Sequence, residues 1–298
     1  MTALVVCVGI VVLDEVFEVA VLPHAASKYA AISRREVAGG IAANAAMAVA
    51  RLGGAARLVS RVAKDTAGQR LRAVLDDAGV DCSGLQTPAS GVTSTSAVFV
   101  DPQGERMLVN HKDPALFEGT PKASCFAGAA AVMCDLRWPE AARLGLATAT
   151  KAGLPAVLDY DLAPEQAADM IPLASHVIFS EGALFDLAGG EHRRAALEDV
   201  AKRYPSVAFA VTAGPEGAFW IAAGCNGHVP AVPVRAVDTL GAGDVFHGAA
   251  ALGLAEGLSF PEALRFASAA AALKVSQPSG LDAFPTRSEV EQIMESRP

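Results

Sequence analysis

Ala129-Ala130-Ala131-Val132-Met133-Cys134, then Pro139 to Lys151, then Ala156-Val157-Leu158-Asp159-Tyr160 is the stretch that decides the architecture. Two short apolar runs without polar alternation flank a longer amphipathic run. An unbroken apolar strand has both faces covered, as in a parallel sheet between helices. The same alternation extends outward in both directions. It predicts further strands at Leu4–Ile10, Ala56–Val62, His176–Phe179 and Ala208–Thr212. Helices are expected at Ile41–Leu52, Gly68–Ala78, Arg193–Arg203, Gly243–Glu256 and Pro261–Ser276. The plan is α/β: a doubly wound, mostly parallel sheet sandwiched by helices. Two regions break the rhythm. Val16–Ala20 with Tyr29–Val37 reads as extended chain. Ser94–Val100 and Glu105–Asn110 flank the turn Asp101-Pro102-Gln103-Gly104, a hairpin signature. The segments near 15–37 and 92–112 are therefore expected to form a small β-sheet lid on one domain spanning residues 1–298.

Of the 298 residues, 52% are hydrophobic and 19% charged, enough to build a large core. The net charge is −8 and no basic run exists, which argues against a nucleic-acid partner. No apolar run approaches the roughly 18 residues of a membrane span. Leu4–Leu13 has no basic segment before it and reads as a buried strand, not as a leader. The five cysteines are scattered, without a CxxC pair, as expected of reduced thiols in a cytoplasmic protein.

The sharpest chemical signal is Asp238-Thr239-Leu240-Gly241-Ala242-Gly243-Asp244-Val245-Phe246. Small residues let the backbone approach a ligand, and the first N–H groups of the helix that follows form an anion site. A carboxylate there, Asp244, is placed to accept a hydroxyl proton as the hydroxyl attacks phosphorus. The competing reading makes Asp238 or Asp244 a helix cap. Val37-Ala38-Gly39-Gly40-Ile41-Ala42-Ala43-Asn44 allows a second close approach, although paired glycines before a helix are often a plain turn. Val211-Thr212-Ala213-Gly214-Pro215-Glu216-Gly217 closes a strand and offers backbone N–H groups to phosphates. No GxxxxGK[ST] sequence occurs, and Gly9 is not followed by a dinucleotide fingerprint.

In this order the three motifs resemble the signatures of the PfkB, or ribokinase-like, carbohydrate kinases, from Gly9 through Pro285. The resemblance implies a ribokinase-like fold with a β-sheet lid, and ATP with Mg2+ as phosphoryl donor. It implies Asp244 as catalytic base and Gly241, Ala242 and Gly243 as the anion hole. Asp14, Gly39, Gly40 and Asn44 are implied at the sugar. Thr212, Gly214 and Gly217 are implied at the ATP phosphates, and Ala267–Gly280, with Lys274, along the adenine pocket. Two departures matter. Ile41 stands where ribokinases carry Lys. Ser180-Glu181-Gly182-Ala183 replaces the family's Asn-x-x-Glu, so Ser180 and Glu181 are assigned to the nucleotide side and the metal ligands stay unassigned.

Leu22-Pro23 with Lys28-Tyr29, Gly104-Glu105-Arg106 with Asn110, Asp135-Leu136-Arg137-Trp138 and Ser180-Glu181 are similar to the sulfofructose kinase branch. So are Asp244-Val245-Phe246-His247-Gly248 and Arg265-Phe266-Ala267-Ser268 with Ala271-Ala272-Leu273-Lys274. That likeness implies Lys28, Asn110 and Arg137 around a substrate sulfonate, a point charge, a neutral donor and a planar fork. The alternative makes Lys28 and Arg137 ordinary surface cations. His111-Lys112 departs from the branch and leaves fructose or a keto-sugar acid such as 2-keto-3-deoxygluconate as other acceptors. A nucleoside kinase would need stacking aromatics, for which the lid offers Phe17, Tyr29 and Phe99. A non-catalytic sugar-binding protein is the remaining alternative. A homodimer through the lid is expected, using Val98, Val100, Met107 and Val109.

Overall fold

The computed structural model describes residues 2–161, 167–278 and 280–296. The chain opens with β1 (Leu4–Val8), then β2 (Val12–Val19) and β3 (Ala31–Gly39). Next come α1 (Ile41–Arg51), β4 (Ala55–Arg61), α2 (Thr66–Asp77), β5 (Leu85–Gln86), β6 (Thr95–Val100) and β7 (Arg106–His111). The middle of the chain is β8 (Ala131–Cys134), α3 (Pro139–Lys151), β9 (Ala156–Tyr160) and β10 (His176–Ser180). It continues through α4 (Glu181–Ala188), α5 (Arg193–Arg203), β11 (Ala208–Thr212), β12 (Ala218–Ala222) and β13 (Cys225–Val229). Helices α6 (Ala242–Ala255), α7 (Phe260–Val275) and α8 (Arg287–Glu295) end the chain.

Among the described residues the strands form two sheets. The larger runs β13-β12-β11-β10-β9-β8-β1-β4-β5 and is parallel from β11 to β5. Alternate strand residues feed two cores. Val5, Cys7, Met133, Val157 and Ile178 pack under α1, α6 and α7. Val6, Val8, Val132, Leu158 and Phe179 pack under α3, α4 and α5. This is the expected sandwich.

The smaller sheet has the order β3-β2-β6-β7. Asp14 pairs with Ser96, and Ser96 with Asn110, so these three side chains share one face. Glu18, Val100 and Arg106 lie on that face too, while Phe17, Phe99 and Met107 lie on the other. Val98 is fully buried on the Asp14 face, which removes it from the expected dimer surface. Met107 and Val109 remain exposed on the opposite face.

α1 and α6 cross closely because small residues meet there. A Cβ on Gly248 would lie 2.5 Å from the Ala45 carbonyl oxygen. That approach brings the N-terminal ends of both helices to the same end of the sheet. They meet at the carboxyl ends of the parallel strands, where open α/β sheets place their ligands.

Candidate active site

Asn44, in the first turn of α1, and Asp244, in the first turn of α6, meet although 200 residues separate them. Asn44 Nδ2 donates to Asp244 Oδ2 at 2.7 Å. Burial pushes the Asp244 carboxyl above its usual range and Asp161 adds to this; the Asn44 bond, Lys274 and Arg137 pull the other way. Asp244 is thus a carboxylate in a cleft, held by a neutral donor that fixes one oxygen.

Gly241 takes a left-handed φ of 75°, and a Cβ there would meet Asn44 Nδ2 at 3.1 Å. Ala242 N–H donates back to Thr239 at 3.3 Å, and Val245 N–H to Gly241 at 3.0 Å. Gly243 is exposed, with nothing within 4 Å of where its Cβ would stand. The helix starts at Ala242, one residue before the sequence expectation. Open volume beside the remaining first-turn N–H groups, those of Gly243 and Asp244, is the geometry of an anion hole.

Asp14 enters from β2. A Cβ on Gly39 would lie 2.1 Å from its Oδ2, so glycine is required there for the carboxylate to fit. Gly40, with φ 95°, would put a Cβ 2.6 Å from the Ile10 carbonyl oxygen. Asp14, Gly39, Asn44, Leu240 and Lys274 line a cavity of about 280 Å³, near the lower end of the roughly 300–1,000 Å³ usual for small-molecule sites.

Burial raises the Asp14 carboxyl to about 6, with the Ser96 hydrogen bond opposing and Asp244 adding to the rise. A carboxyl that binds its proton more tightly when folded favours folding below its unfolded value near 4, and that contribution is lost as pH rises through about 6. Asp14→Asn is therefore expected to stabilise the ligand-free protein at pH 7–8 by about 1–3 kcal/mol, the gain fading toward pH 4, while kcat/KM falls. Thermal unfolding from pH 4 to 8 checks this; no gain at pH 7, or one undiminished at pH 4, refutes it.

Asp135 organises the floor. Its Oδ2 accepts from Ile10 N at 2.9 Å and Ala42 N at 3.2 Å, and its Oδ1 from Arg137 N at 2.7 Å. One buried carboxylate thus ties β1 to the start of α1 and to the turn after β8. The sequence patterns did not single out Asp159, Asp161 or the role of His247. Asp159 is buried, with Oδ1 lacking a hydrogen-bond partner. His247 Nδ1 lies 2.7 Å from the Gly243 carbonyl oxygen and 3.1 Å from Asp159 Oδ2. The usable signal was position: Asp159 and Asp161 stand at the carboxyl end of β9.

The cation assignments separate. Arg137 follows β8, and its Nη2 lies 3.7 Å from Asp161 Oδ2 at the cleft. Burial raises the carboxyls of Asp135, Asp159 and Asp244, and the Arg137 charge opposes that rise. Lys112 donates to the Arg137 carbonyl and lies over the Phe117 ring. Asn110 is exposed on the Asp14 face of the lid, and Lys28 is exposed in the β2–β3 connection. Arg106 crosses from the lid to the anion-hole loop, donating to Thr239 Oγ1 at 2.8 Å.

The nucleotide assignments are partly redrawn. Thr212 Oγ1 donates to the Phe179 carbonyl at 3.3 Å. The Gly217 N–H donates to the Gly214 carbonyl at 3.0 Å, so in this structure it is engaged inside the turn. Glycine is needed at 217 because a Cβ would lie 2.1 Å from the Val229 carbonyl oxygen. The space at Gly214 is open. Ser180 caps α4 through Ala183 N. Glu181 pairs with Arg193, which also holds Glu216, so its carboxylate is already engaged. Lys274 is buried in the last turn of α7. Ser279, within the expected adenine wall Ala267–Gly280, lies outside the described residues.

The model of the pfkB family of carbohydrate kinases matches residues 2–287. The chain belongs to that family. Fructokinase-1 of Oryza sativa subsp. japonica is 31% identical, over 87% of this chain and 88% of its own. Ribokinase of Haemophilus influenzae is 28% identical, over 86% and 87%. Among solved structures, an Agrobacterium tumefaciens protein provisionally named a ribokinase superposes with a TM-score of 0.95 at 39% identity, covering 99% and 98% of the chains. Arabidopsis thaliana ribokinase, complexed with ribose and ATP, gives 0.83 at 25% identity over 99% of each. The kinase is an ATP-dependent carbohydrate phosphotransferase, and the family uses Mg2+ with ATP. Mg2+ in such sites is held largely by phosphate oxygens and water with one or two carboxylates. Among the described residues no group of three or more His, Cys, Asp or Glu is arranged to hold a metal ion without such phosphate oxygens. No described helix is long and apolar enough to cross a membrane.

Proposed function

We propose that the acceptor is a ketose bearing a terminal anion, best matched by 6-deoxy-6-sulfofructose, phosphorylated at its 1-hydroxyl. In this reading Asp14, Gly39, Gly40 and Asn44 hold the sugar and orient the hydroxyl toward Asp244. Asp244 takes the hydroxyl proton as the oxygen bonds to phosphorus and the bond to ADP breaks. The α6 N-terminus, from Gly241 to Gly243, stabilises charge on the phosphoryl oxygens. Bound Mg2+ would supply neutralisation of phosphate charge, and the partly exposed Asp161 carboxylate is the residue that would hold it.

Arg137 carries the substrate reading. Its guanidinium is 26% exposed at the cleft, with Nη2 3.7 Å from Asp161 Oδ2, and Lys112 braces its carbonyl. Asn110 shares the face of Asp14, so lid and base could grip one sulfonate between them. A sulfonate stays ionised at physiological pH and offers three acceptor oxygens, which suits a guanidinium fork. Lys28 joins them from the lid loop. Ile41 in place of lysine speaks against ribose. A nucleoside acceptor is disfavoured because Phe17 and Phe99 stack on each other, centroids 5.6 Å apart, on the far face of the lid. Tyr29 spends its hydroxyl on the N–H groups of His24 and Ala25. The same far face, with Met107 and Val109 exposed, is where we place a dimer contact.

Arg137→Ala is expected to lower kcat/KM for sulfofructose by about tenfold to a hundredfold, with little change for neutral fructose. Lys28→Ala should act in the same direction and less than additively, because both residues would hold one anion. Steady-state kinetics with both sugars decides it. If the wild type shows no preference for the anionic sugar, or the mutation weakens both equally, the sulfonate pocket is wrong.

A further inference from the structure

We propose that the Lys274 ammonium is a positive charge built into the catalytic centre, a positioning residue that keeps the Asp238–Gly243 loop and Asp244 in their working state. Lys274 is 3% exposed, and its Nζ has no hydrogen-bond partner. A buried ammonium without a partner costs free energy, and folding gains nothing evident from it. The site around it is specific. Lys274 lines the cavity that holds Asp14, Asn44 and Leu240. It lies at the C-terminal end of α7, where the helix dipole favours a cation. The next carbonyl along, that of Val275, accepts the N–H of Val237 at 2.7 Å and of Asp238 at 3.1 Å. Asp238 Oδ1 in turn accepts from Leu240 N at 2.8 Å, immediately before Gly241. A short chain of hydrogen bonds therefore runs from Val275, the residue after Lys274, through Asp238 to the anion hole.

The charges around the base define what the ammonium does. Asp244 is faced by Asn44 from α1, Asp14 from β2, Arg137 after β8, Asp159 and Asp161 at the end of β9, and Lys274 from α7. The carboxylates oppose its ionisation, while Arg137 and Lys274 favour it. Burial lowers the Lys274 ammonium below its usual range; the attraction of Asp238 and Asp244 opposes that fall, and the Arg106 guanidinium of the lid adds to it. A base that must be anionic before it accepts the hydroxyl proton needs such an opposing charge, because Asp14 and Asp161 share its cleft.

The proposal rests on Asp244 being the base, so Asp244→Asn is assayed beside the Lys274 variants, with ATP and 6-deoxy-6-sulfofructose or fructose. Lys274→Met, similar in length and apolar, should leave the Tm of the ligand-free protein unchanged or raised. Its kcat/KM should fall by roughly tenfold to a hundredfold, and the acid limb of its pH profile should move up by roughly one unit. In Lys274→Ala, ammonium or methylammonium should restore part of the rate, and tetramethylammonium at equal ionic strength should not. An acid limb that stays in place overturns the proposal whatever happens to kcat. So does a Lys274→Met protein that fails to fold or melts markedly lower, since the ammonium would then be part of the scaffold. If Asp244→Asn keeps its activity, the base assignment itself fails. If it loses activity while the Lys274→Met profile stays put, only this proposal falls.

Discussion

Asp244→Asn is expected to lower kcat by about 10²–10⁴-fold while ATP still binds. The substitution is close to isosteric, and the new amide can turn its oxygen toward Asn44 Nδ2, preserving the 2.7 Å contact that fixes the side chain. Only proton acceptance is removed. The loss should therefore fall on kcat, with little change in nucleotide affinity. Single-turnover kinetics and calorimetric titration with ATP separate the two quantities. The buried location sharpens the test: the cleft raises the Asp244 carboxyl above its ordinary range, so the wild type should lose rate on the acid side at a higher pH than a solvent-exposed aspartate would. A mutant with near-normal kcat sinks the assignment.

How much of this was legible in sequence follows from what each element does. The parallel strands were readable because both faces are buried and leave unbroken apolar runs; β9 and β11 have the expected bounds. β8 is shorter than expected because Ala129 N–H closes a turn on Phe126 and does not join the sheet. β13 was not seen, since an edge strand with Cys225, Asn226 and His228 exposed has no apolar signature. α4 was missed for the opposite reason: eight residues starting at a serine cap are too short to display a period.

The site divides similarly. Gly241 to Asp244 and Gly39 to Asn44 were visible because glycines at helix starts are local features. Their meeting was not, because it depends on the Gly248–Ala45 crossing. At Gly217 the glycine signal is local but a reason for glycine is not: a Cβ there would meet the carbonyl of Val229 on a neighbouring strand. Asp159, His247 and the burial of Lys274 have no local pattern at all; they are products of packing.

Gly243→Val separates the anion hole from the fold. A side chain at 243 could act by blocking the phosphoryl group or by straining the backbone; the structure supports only the first. Gly243 is helical, and its Cβ position is open on all sides. The strained position is Gly241, where φ is 75° and Asn44 is close. Valine at 243 should therefore leave stability within about 1 kcal/mol of wild type, since even in a helix interior glycine costs more than valine. Any activity loss then reports volume taken from the ligand. A valine there would push the transferred phosphoryl away from the first-turn N–H groups, and losing oxyanion-type donors costs about 10²–10³-fold in kcat. Gly243→Ala should fall between, and Gly241→Val should lose stability as well as rate. Thermal unfolding and kcat measured on the three variants give the comparison. A Gly243→Val enzyme that is folded and fully active would mean that the phosphoryl group does not pass over the start of α6.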